Sequence, residues 1–597
     1  MLLTRIPASA LLASLCLSPA YAAPTESLDP VVVTASRTAQ SIDEALAPVI
    51  IISRDEIERS LASDVAGLLR FHAGLDIART GGPGAQTSLF IRGTESNHAL
   101  VMIDGVKVNP GTIGVAALQN IAPELIERIE IVKGPRSTLY GSDAIGGVVH
   151  IITRKQKQDG TKIATTLGFG DDHDRRFSAS LLHKEGNYRA GLSFSRQGTE
   201  GIPALVTQDN DRGYNNRSIN AYAGYSFANG TDIEFSHWQA TGTSEYDSFG
   251  SAVDQDFTNL ASSLTVKNNL SDNWASTLKL SHFKDQLNQN QNANYIRTKR
   301  NVLDWQNDIE LNNHNLVTAG VMFSREDTVT VGFTSFDEDT DVNALFIQDN
   351  ITWGNHQVLA GARYIDHSDF GTHTTWNLEY GYQFTPKLRM TAGVGTAFRA
   401  PDSTDRYGFG GDPDLDPEVA RNTEIGLRYK IDSHQNVSVN VFDNKIDDLI
   451  GFTTMAVNIN EARIRGVEVA YNYAKGPWSF RTEAISQDPE DRSNDEILAR
   501  RAERSLTASL DYSRGRHQLG LDLLTTSKRE NSSFDTTVLD SYTLVNLRGG
   551  VKLDQDWTIQ ARVENLFDEE YATASTSSGD YSVQDRAFRF ELRYSPK

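Results

Sequence analysis

The sequence predicts a transmembrane barrel of about 22 antiparallel β-strands, with a mixed α/β plug domain that precedes the barrel and fills its lumen. Residues 38–155 support the plug domain, because short apolar strands alternate there with glycine turns and short helical patterns. Residues 156–597 support the barrel, because apolar and polar side chains alternate through many long segments. After residue 22, no apolar run is long enough to span a membrane as a helix.

The first 22 residues have the composition of an export signal. They contain Arg5, an apolar core and the small-residue site Ala20-Tyr21-Ala22, which predicts cleavage after Ala22. A transmembrane anchor is the alternative, but the apolar run is too short for it. Cys16 is the single cysteine and leaves with the signal, so we expect an exported chain without disulfides or thiol metal ligands.

Residues 23–37 are interpreted as an N-terminal linker that carries one extended segment. Valine and threonine favour strand geometry, whereas proline is excluded from central strands. Such a segment is suited to pairing with the sheet edge of another protein. The alternative is that it forms the first strand of the plug itself. The segment comprises Asp29, Pro30, Val31, Val32, Val33, Thr34 and Ala35.

The plug combines a helical stretch with two polar glycine loops. Ser53 and Glu56 have the spacing of a capping box, which predicts a helix start at Ser53. Glycine lets a backbone approach a bulky ligand closely, so the loops are a candidate ligand surface; plain turn geometry is the alternative. The candidate residues are Gly81, Gly82, Pro83, Gly84 and Gln86 in the first loop, and Thr112, Ile113 and Gly114 in the second.

From about residue 162 the apolar pattern has a period of two. One example is the series Ile219, Ala221, Ala223, Tyr225 and Phe227, which ends at an Asn229-Gly230 hairpin turn. Roughly 20 residues per strand and loop correspond to about 22 strands, the size class of barrels with a plugged lumen. A soluble sandwich is the alternative, but so many long strands would leave exposed edges.

Composition excludes several classes of function. The formal net charge is −21, and −22 once Arg5 is removed, so nucleic acid is not an expected partner. The sequence has no phosphate-binding loop, no GxSxG, no HExxH and no cysteine nucleophile in the exported chain. We therefore expect a protein that is not an enzyme and that takes any energy it uses from a partner.

Motifs spread along the exported chain resemble those of TonB-dependent outer-membrane transporters. In the plug they are IRG (residues 91–93), IDGV (103–106) and EIVKGP with LYGSDAIGGVVHIIT. In the barrel they are LDPE (415–418), NTEIG (422–426), ARIRGVE (462–468) and ENLFDEEY (564–571). The resemblance implies a monomer in the lipid of a Gram-negative outer membrane. It also makes residues 29–35 the TonB box, which binds TonB and its inner-membrane energising complex.

Within this family, the sequence is most similar to the cobalamin-receptor (BtuB-type) branch. The residues that carry the similarity are GLDIARTGGPG with TSLFIRGTESNHALVMIDGVKVN, and YGFGGDPDLDPE. This resemblance implies TonB-dependent import of cobalamin or a related corrinoid, with calcium assisting substrate binding. A receptor for a siderophore, haem or another metal chelate is the alternative.

The resemblance also implies contacts between plug and barrel. In the family, basic plug residues pair with two barrel glutamates, and here the matching residues are Arg92, Lys133, Glu424 and Glu468. Ordinary surface charge is the alternative. Removing one partner of a buried ion pair leaves an uncompensated charge in the interior. Such pairs are therefore suited to holding a plug inside the barrel until it is pulled.

Acidic residues cluster in two neighbouring outer loops and suggest a calcium site. Carboxylates at this density repel one another unless a hard cation with oxygen ligands lies among them. The cobalamin receptors have such a cluster, although Glu200 stands where the family has aspartate and the choice between Asp254 and Asp256 is open. A solvated acidic rim is the alternative. The candidate ligands are Glu200, Asp209, Asp211, Asp247, Asp254 and Asp256.

Overall fold

A computed structural model describes residues 31–32, 37–38, 40–248, 250–452, 454–532 and 536–596. The predicted export signal and most of the N-terminal linker, including Asp29, Pro30, Val33, Thr34 and Ala35, lie outside the described residues. In the described part of the chain, no helix is long and apolar enough to cross a membrane.

The plug is a small sheet flanked by short helices. Its five-stranded sheet has the order β3-β8-β9-β6-β7, in which β6 and β9 are parallel, and β4 and β5 form a separate hairpin. The elements up to the barrel are β1 Val31–Val32, β2 Gln40–Ser41, β3 Val49–Ser53, α1 Arg54–Ser60, α2 Val65–Leu69, β4 Leu75–Arg79, β5 Thr87–Ile91, β6 Ala99–Ile103, β7 Val106–Lys107, β8 Ile126–Lys133, α3 Ser137–Tyr140 and β9 Gly147–Thr153.

Local capping explains where the plug helices begin. Ser53 accepts a hydrogen bond from the backbone N–H of Glu56, as the sequence predicts, and Asp64 caps α2 in the same way through Gly67. The Glu56 carboxylate contacts Arg481 of the barrel wall at 2.7 Å. Glu56 therefore both takes part in the cap of α1 and attaches the plug to the barrel wall.

The barrel confirms the predicted fold class and strand number. It contains 22 long antiparallel strands and closes where β10 pairs with β36, with Phe169 opposite Phe590. The elements are β10 Gly160–Gly170, β11 Arg175–Glu185, β12 Tyr188–Pro203, β13 Asp211–Ser226, β14 Asp232–Ser248, β15 Ser251–Ser271, β16 Trp274–Gln289, β17 Tyr295–Asn312, β18 Asn315–Val331, β19 Phe336–Trp353, β20 His356–His367, β21 Gly371–Thr385, β22 Leu388–Arg399, α4 Ser403–Tyr407, β23 Glu418–Asp432, β24 Gln435–Phe452, β25 Ala456–Lys475, β26 Trp478–Asp491, β27 Glu496–Ile497, β28 Arg504–Arg514, β29 His517–Thr526, β30 Arg529–Glu530, β31 Val538–Leu539, β32 Tyr542–Lys552, β33 Trp557–Glu564, β34 Ser575–Thr576, β35 Gly579–Asp580 and β36 Ala587–Tyr594. The two-residue strands β27, β30, β31, β34 and β35 belong to connecting loops.

The two ends of the barrel differ in the length of their connections. At one end the turns are short, as at residues 186–187 and 313–314, whereas the other end carries long loops such as 400–417 and 565–586. Outer-membrane barrels place short turns in the periplasm and long loops outside the cell. We call the long-loop end the outer end.

The two faces of each strand have the polarity that a membrane barrel requires. Phe169, Leu192 and Leu345 are more than half exposed and point outward, while Asn216 and Ser218 are buried toward the lumen. The plug fills this lumen, and its core continues into the barrel wall. Ile129 and Ile131 of the plug belong to the same apolar cluster as Trp238, Phe257 and Phe283 of the wall.

Candidate functional site

Four charged residues join the plug to the barrel wall, and we call them the plug–barrel ion cluster: Arg92, Lys133, Glu424 and Glu468. Arg92 Nη2 lies 3.0 Å from Glu424 Oε1 and 2.6 Å from Glu468 Oε2. Lys133 Nζ lies 2.7 Å from Glu468 Oε1. The structure therefore brings together all four residues that the family resemblance suggested.

The local backbone holds both basic residues in place. Arg92 follows β5 with a positive φ of 50°, and its N–H donates to the carbonyl oxygen of Gly74 at 2.8 Å. Lys133 ends β8 and donates a further bond to the carbonyl oxygen of Ala73 at 2.6 Å. Gly74 has a φ of +76°, and a Cβ there would lie 2.6 Å from Glu468 Oε1. Glycine is thus required for the close approach of plug and wall.

Burial makes this cluster energetically important. Arg92 and Lys133 are only 4% and 5% exposed. Burial of Arg92 disfavours its charged form, but Glu424 and Glu468 outweigh this effect and raise the pKa of Arg92 above its ordinary value. Removing one partner would leave an uncompensated buried charge, at a cost of about 3–5 kcal/mol.

Further polar contacts between plug and barrel were not predicted from the sequence. His98 Nε2 lies 2.9 Å from Glu418 Oε2, and Lys155 Nζ lies 2.7 Å from Glu234 Oε1. Arg136 contacts Glu379 at 2.5 Å, adjacent to the KGP motif. Basic residues in plug motifs and glutamates at lumen-facing strand positions are the sequence signal for such pairs. That signal does not say which strand meets which plug residue.

The linker is attached to the barrel wall just after residues 29–35, the predicted TonB box. The backbones of Val31 and Val32 pair antiparallel with Gln40–Ser41, which joins the described part of the box to the chain that follows it. Arg37 then contacts Asp304 of β17 at 3.1 Å, and its guanidinium lies over the Phe346 ring at 4.9 Å. The Arg37–Asp304 pair was also missed by the sequence analysis.

The first glycine loop lies against the barrel wall near the outer end. A Cβ on Gly84 would lie 2.2 Å from the Tyr214 ring, and one on Gly82 would lie 2.7 Å from the Ile202 side chain. The glycines therefore contact the wall, while Gln86 is exposed at the end of the loop, directly before β5. Gly81 is buried, and Pro83 is half-buried.

The second glycine loop is covered by part of an outer loop. The N–H groups of Ser403 and Thr404 in α4 donate to the carbonyl oxygens of Gly111 and Thr112, each at 2.9 Å. Thr112 and Gly114 are buried, whereas Ile113 is half-buried. The sequence made this loop a candidate ligand surface, but α4 restricts access to it. Substrate contact by either loop stays a prediction.

The six candidate calcium ligands are dispersed over the outer rim. Contrary to the prediction of a loop site, only Asp209 lies in a loop, and the other five lie at the outer ends of strands β12 to β15. Asp247 pairs with Arg212 at 2.9 Å, and Glu200 contacts His173 at 3.0 Å. Asp254 and Asp256 accept hydrogen bonds from Asn290 and Thr243, while Asp209 and Asp211 are exposed. Within the described residues, no three His, Cys, Asp or Glu side chains form a group that could hold a metal ion. As arranged here, the six residues do not fit a calcium site.

A cavity of about 870 Å³ lies between the plug and the wall. The plug contributes Asp104, Lys107 and Tyr140 to its lining, and the wall contributes Lys279 and Arg300. The cavity also reaches Asp402 and Ser403 beside α4. Water and small polar groups therefore have room along one side of the seated plug.

A closed outer-membrane barrel whose lumen holds a separate plug through buried ion pairs is the architecture of a plugged-barrel receptor. Comparison with known proteins supports this class, since residues 41–148 match the TonB-dependent Receptor Plug Domain. Residues 160–566 match the family described as TonB dependent receptor-like, beta-barrel. The chain belongs to the TonB-dependent receptor family, whose members are outer-membrane transporters of Gram-negative bacteria and not enzymes.

Individual relatives are similar over nearly their full length. The Vitamin B12 transporter BtuB of Photobacterium profundum is 30% identical over 613 residues, covering 98% of both chains. That of Vibrio vulnificus is 31% identical over 587 residues, covering 94% of each.

Solved structures share the fold at lower sequence identity. The siderophore receptor PirA from Acinetobacter baumannii superposes with a TM-score of 0.82 at 17% identity, covering 92% of this chain and 98% of that one. A mutant of the ferric enterobactin receptor PfeA from Pseudomonas aeruginosa gives a TM-score of 0.81 at 17% identity, covering 95% and 100%.

Proposed function

We propose that this TonB-dependent transporter imports cobalamin or a related corrinoid across the outer membrane. The observation that carries the proposal is the similarity to vitamin B12 transporters, which extends over 98% of both chains at 30% identity. A similarity of this extent includes the plug loops and outer loops, where a receptor meets its substrate.

The geometry of the plug is compatible with a bulky ligand. Gln86 is exposed on the first glycine loop, and close packing of Gly82 and Gly84 against the wall holds that loop in place. The second loop lies beneath α4, so binding of a large ligand to it requires displacement of the two hydrogen bonds from Ser403 and Thr404. Their loss would couple ligand contact to movement of an outer loop.

Import of a siderophore, haem or another metal chelate is the second candidate. The observation in its favour is that solved structures with this fold include siderophore receptors. Their 17% identity supports only the shared fold. The corrinoid is therefore the preferred substrate class.

Equilibrium binding to the purified full chain tests the choice of substrate. We expect cyanocobalamin to bind at micromolar concentration or below, and ferric enterobactin not to bind under the same conditions. Absence of cyanocobalamin binding together with tight binding of the ferric chelate would replace the first candidate with the second.

Energy for import would come from TonB, acting through residues 29–35. The described residues Val31 and Val32 pair with Gln40–Ser41, so the box must leave this pairing before it can add to the sheet edge of TonB. Val32→Pro removes a backbone donor and should abolish uptake without changing ligand binding at the cell surface. Val32→Ala keeps the donor and is the control. Normal uptake by the proline variant would refute the role of the box.

Calcium assistance stays a separate part of the proposal. Its support is the presence of six acidic residues at the outer end, five on the ends of neighbouring strands and Asp209 in a loop. A calcium-binding arrangement would need Asp247 to leave Arg212 and the loops to move together. No step of import proposed here depends on the ion.

A further inference from the structure

Two arginines lie directly opposite each other on the lumen side of the barrel wall. Arg389 of β22 and Arg428 of β23 are partners in the strand register, near the short-turn end. Leu427 and Tyr429 beside Arg428 are exposed on the outer surface, so alternation turns Arg428 inward. Like charges directly opposite on antiparallel strands repel, so this pair is unfavourable unless hydrogen-bond acceptors surround it.

Backbone carbonyl groups of the plug supply these acceptors. Residues 42–47 lead into β3, and we call them the entry segment. Arg428 Nη1 donates to the carbonyl oxygens of Ile42 at 3.2 Å and Ala45 at 2.7 Å. Its Nη2 donates to the carbonyl oxygen of Ala47 at 2.6 Å. Three carbonyl groups of the entry segment therefore converge on one guanidinium.

Neither arginine has a carboxylate that would compensate its charge without the plug. Arg389 Nη2 donates to the carbonyl oxygen of Glu44 at 3.4 Å and to the side chain of Gln357. Asp43 of the entry segment pairs with Lys430 instead. Among the described residues, no carboxylate oxygen lies within 4.0 Å of either guanidinium. Most acceptors of the arginine pair are thus present only while the entry segment is seated.

Apolar packing also holds the entry segment against the wall. Leu46 is 7% exposed, and a Cβ on Gly381 of β21 would lie 2.5 Å from its side chain. Gly381 therefore leaves the space that Leu46 occupies. Ala45 and Ala47 pack with Val132 of β8 in a small apolar cluster. The entry segment thus contacts the wall on one side and the plug sheet on the other.

The entry segment lies on the chain between the linker and β3. Before it, the linker is attached by the two-residue pairing of β1 with β2 and by the Arg37–Asp304 pair. After it, β3 is the edge strand of the plug sheet and pairs with β8. Tension applied at residues 29–35 must therefore pass through the entry segment before it can separate β3 from β8.

We propose that Arg428 is a positioning residue that anchors the N-terminal edge of the plug and sets the tension at which β3 separates from β8. Its acceptors extend from Ile42 to Ala47, so their release takes the whole entry segment off the wall. Weak tension frees the linker alone, and stronger tension is needed to move the plug. When tension falls, the repulsion between Arg428 and Arg389 favours the return of the entry segment. The proposal rests on residues 29–35 as the point of traction.

The test applies tension directly to the full chain in a lipid bilayer, through a Val32→Cys handle in single-molecule force spectroscopy. The linker becomes taut within about 35 Å, the extended length of about ten residues, and the next force peak should mark detachment of the entry segment. Arg428→Lys keeps the charge but loses the fork of donors, so it should lower this peak. Lys430→Gln is the matched control, because it breaks only the exposed pair with Asp43 and should leave the peak unchanged.

Hydrogen exchange without tension gives a second readout. Loss of one charge-assisted hydrogen bond corresponds to about tenfold more frequent opening, so β3 should exchange about tenfold faster in Arg428→Lys. Exchange in β9, at the centre of the plug sheet, should stay unchanged. Equal acceleration in β3 and β9 would indicate general destabilisation of the plug and would overturn the proposal.

An unchanged force peak in Arg428→Lys would also overturn it, as would an equal loss in Lys430→Gln. If Arg428→Lys fails to assemble, the parent decides, because separation of β3 without a preceding peak contradicts the anchor. The force peak reports the anchor whether or not residues 29–35 bind TonB. Failure of the proposed TonB box would show separately, as normal uptake by Val32→Pro.

Discussion

The plug–barrel ion cluster and the acidic outer rim differ in how their charges are compensated. In the cluster, two basic residues of the plug meet two glutamates of the wall in a buried site. On the rim, six acidic residues lie on one domain, and four of them contact neighbouring side chains of that domain. Family resemblance suggested both sites, but the structure assembles only the first.

Burial explains this difference. A buried carboxylate is very costly unless a partner neutralises it, so Glu424 and Glu468 adopt one geometry with Arg92 and Lys133. An exposed carboxylate is already solvated, and a surface ion pair contributes only about 0–1 kcal/mol. Exposed acidic residues such as Asp209 therefore gain little free energy by clustering in the absence of a cation. In this protein, charged side chains adopt a defined arrangement at sites from which water is excluded.

The largest effect is expected from Glu468→Gln in the ion cluster. This change leaves Lys133 and one side of Arg92 without a charged partner, and should destabilise the seated plug by about 3–5 kcal/mol. Hydrogen exchange of the plug strands β5 and β8 in the purified protein measures the change. Glu200→Gln on the rim is the matched control and should leave exchange unchanged. Equal hydrogen exchange in the two variants would show that burial does not explain the difference between the plug–barrel ion cluster and the acidic rim.

A smaller effect is expected from Asp304→Asn, which removes the charged partner of Arg37 on the partly buried inner face of the barrel wall. The linker should detach more often, because a charge-assisted hydrogen bond contributes about 1.5–3 kcal/mol. A spin label at residue 32 reports the mobility of the predicted TonB box directly.

The control for this experiment is Asp339→Asn, which breaks the exposed pair with Arg325 on the outer surface. It should leave the label unchanged. If Asp304→Asn also leaves the label immobile, the Arg37 contact does not hold the linker.

The smallest and most conditional effect concerns the rim. Asp209→Asn with Asp211→Asn keeps shape and acceptor oxygens but removes two charges, so calcium affinity should fall. Corrinoid affinity should then rise with calcium in the parent and hardly respond in the double variant, because the loops lose their prior ordering. Equilibrium binding in calcium and in a chelator measures this. Equal affinities of parent and variant in both conditions would identify the acids as a solvated rim.

The sequence by itself determined the barrel, its approximate strand number and the start of the first plug helix. Alternation along each strand reports which face meets lipid, and it needs no knowledge of distant contacts. The cap at Ser53 is equally local, because its partner Glu56 is three residues away. The family resemblance identified the four residues of the plug–barrel ion cluster, because each of them lies in one of the motifs that resemble the family.

Only the tertiary structure decided which charges meet. Arg92 and Glu424 are 332 residues apart, and Arg37 and Asp304 are 267 apart. Closure and strand register place each glutamate around the lumen, and these are properties of the whole barrel. The same holds for α4, whose cover over Gly111 and Thr112 depends on how a long outer loop folds back. A local sequence pattern reflects interactions between neighbouring residues. These long-range contacts, in contrast, depend on the closed barrel wall that surrounds the plug.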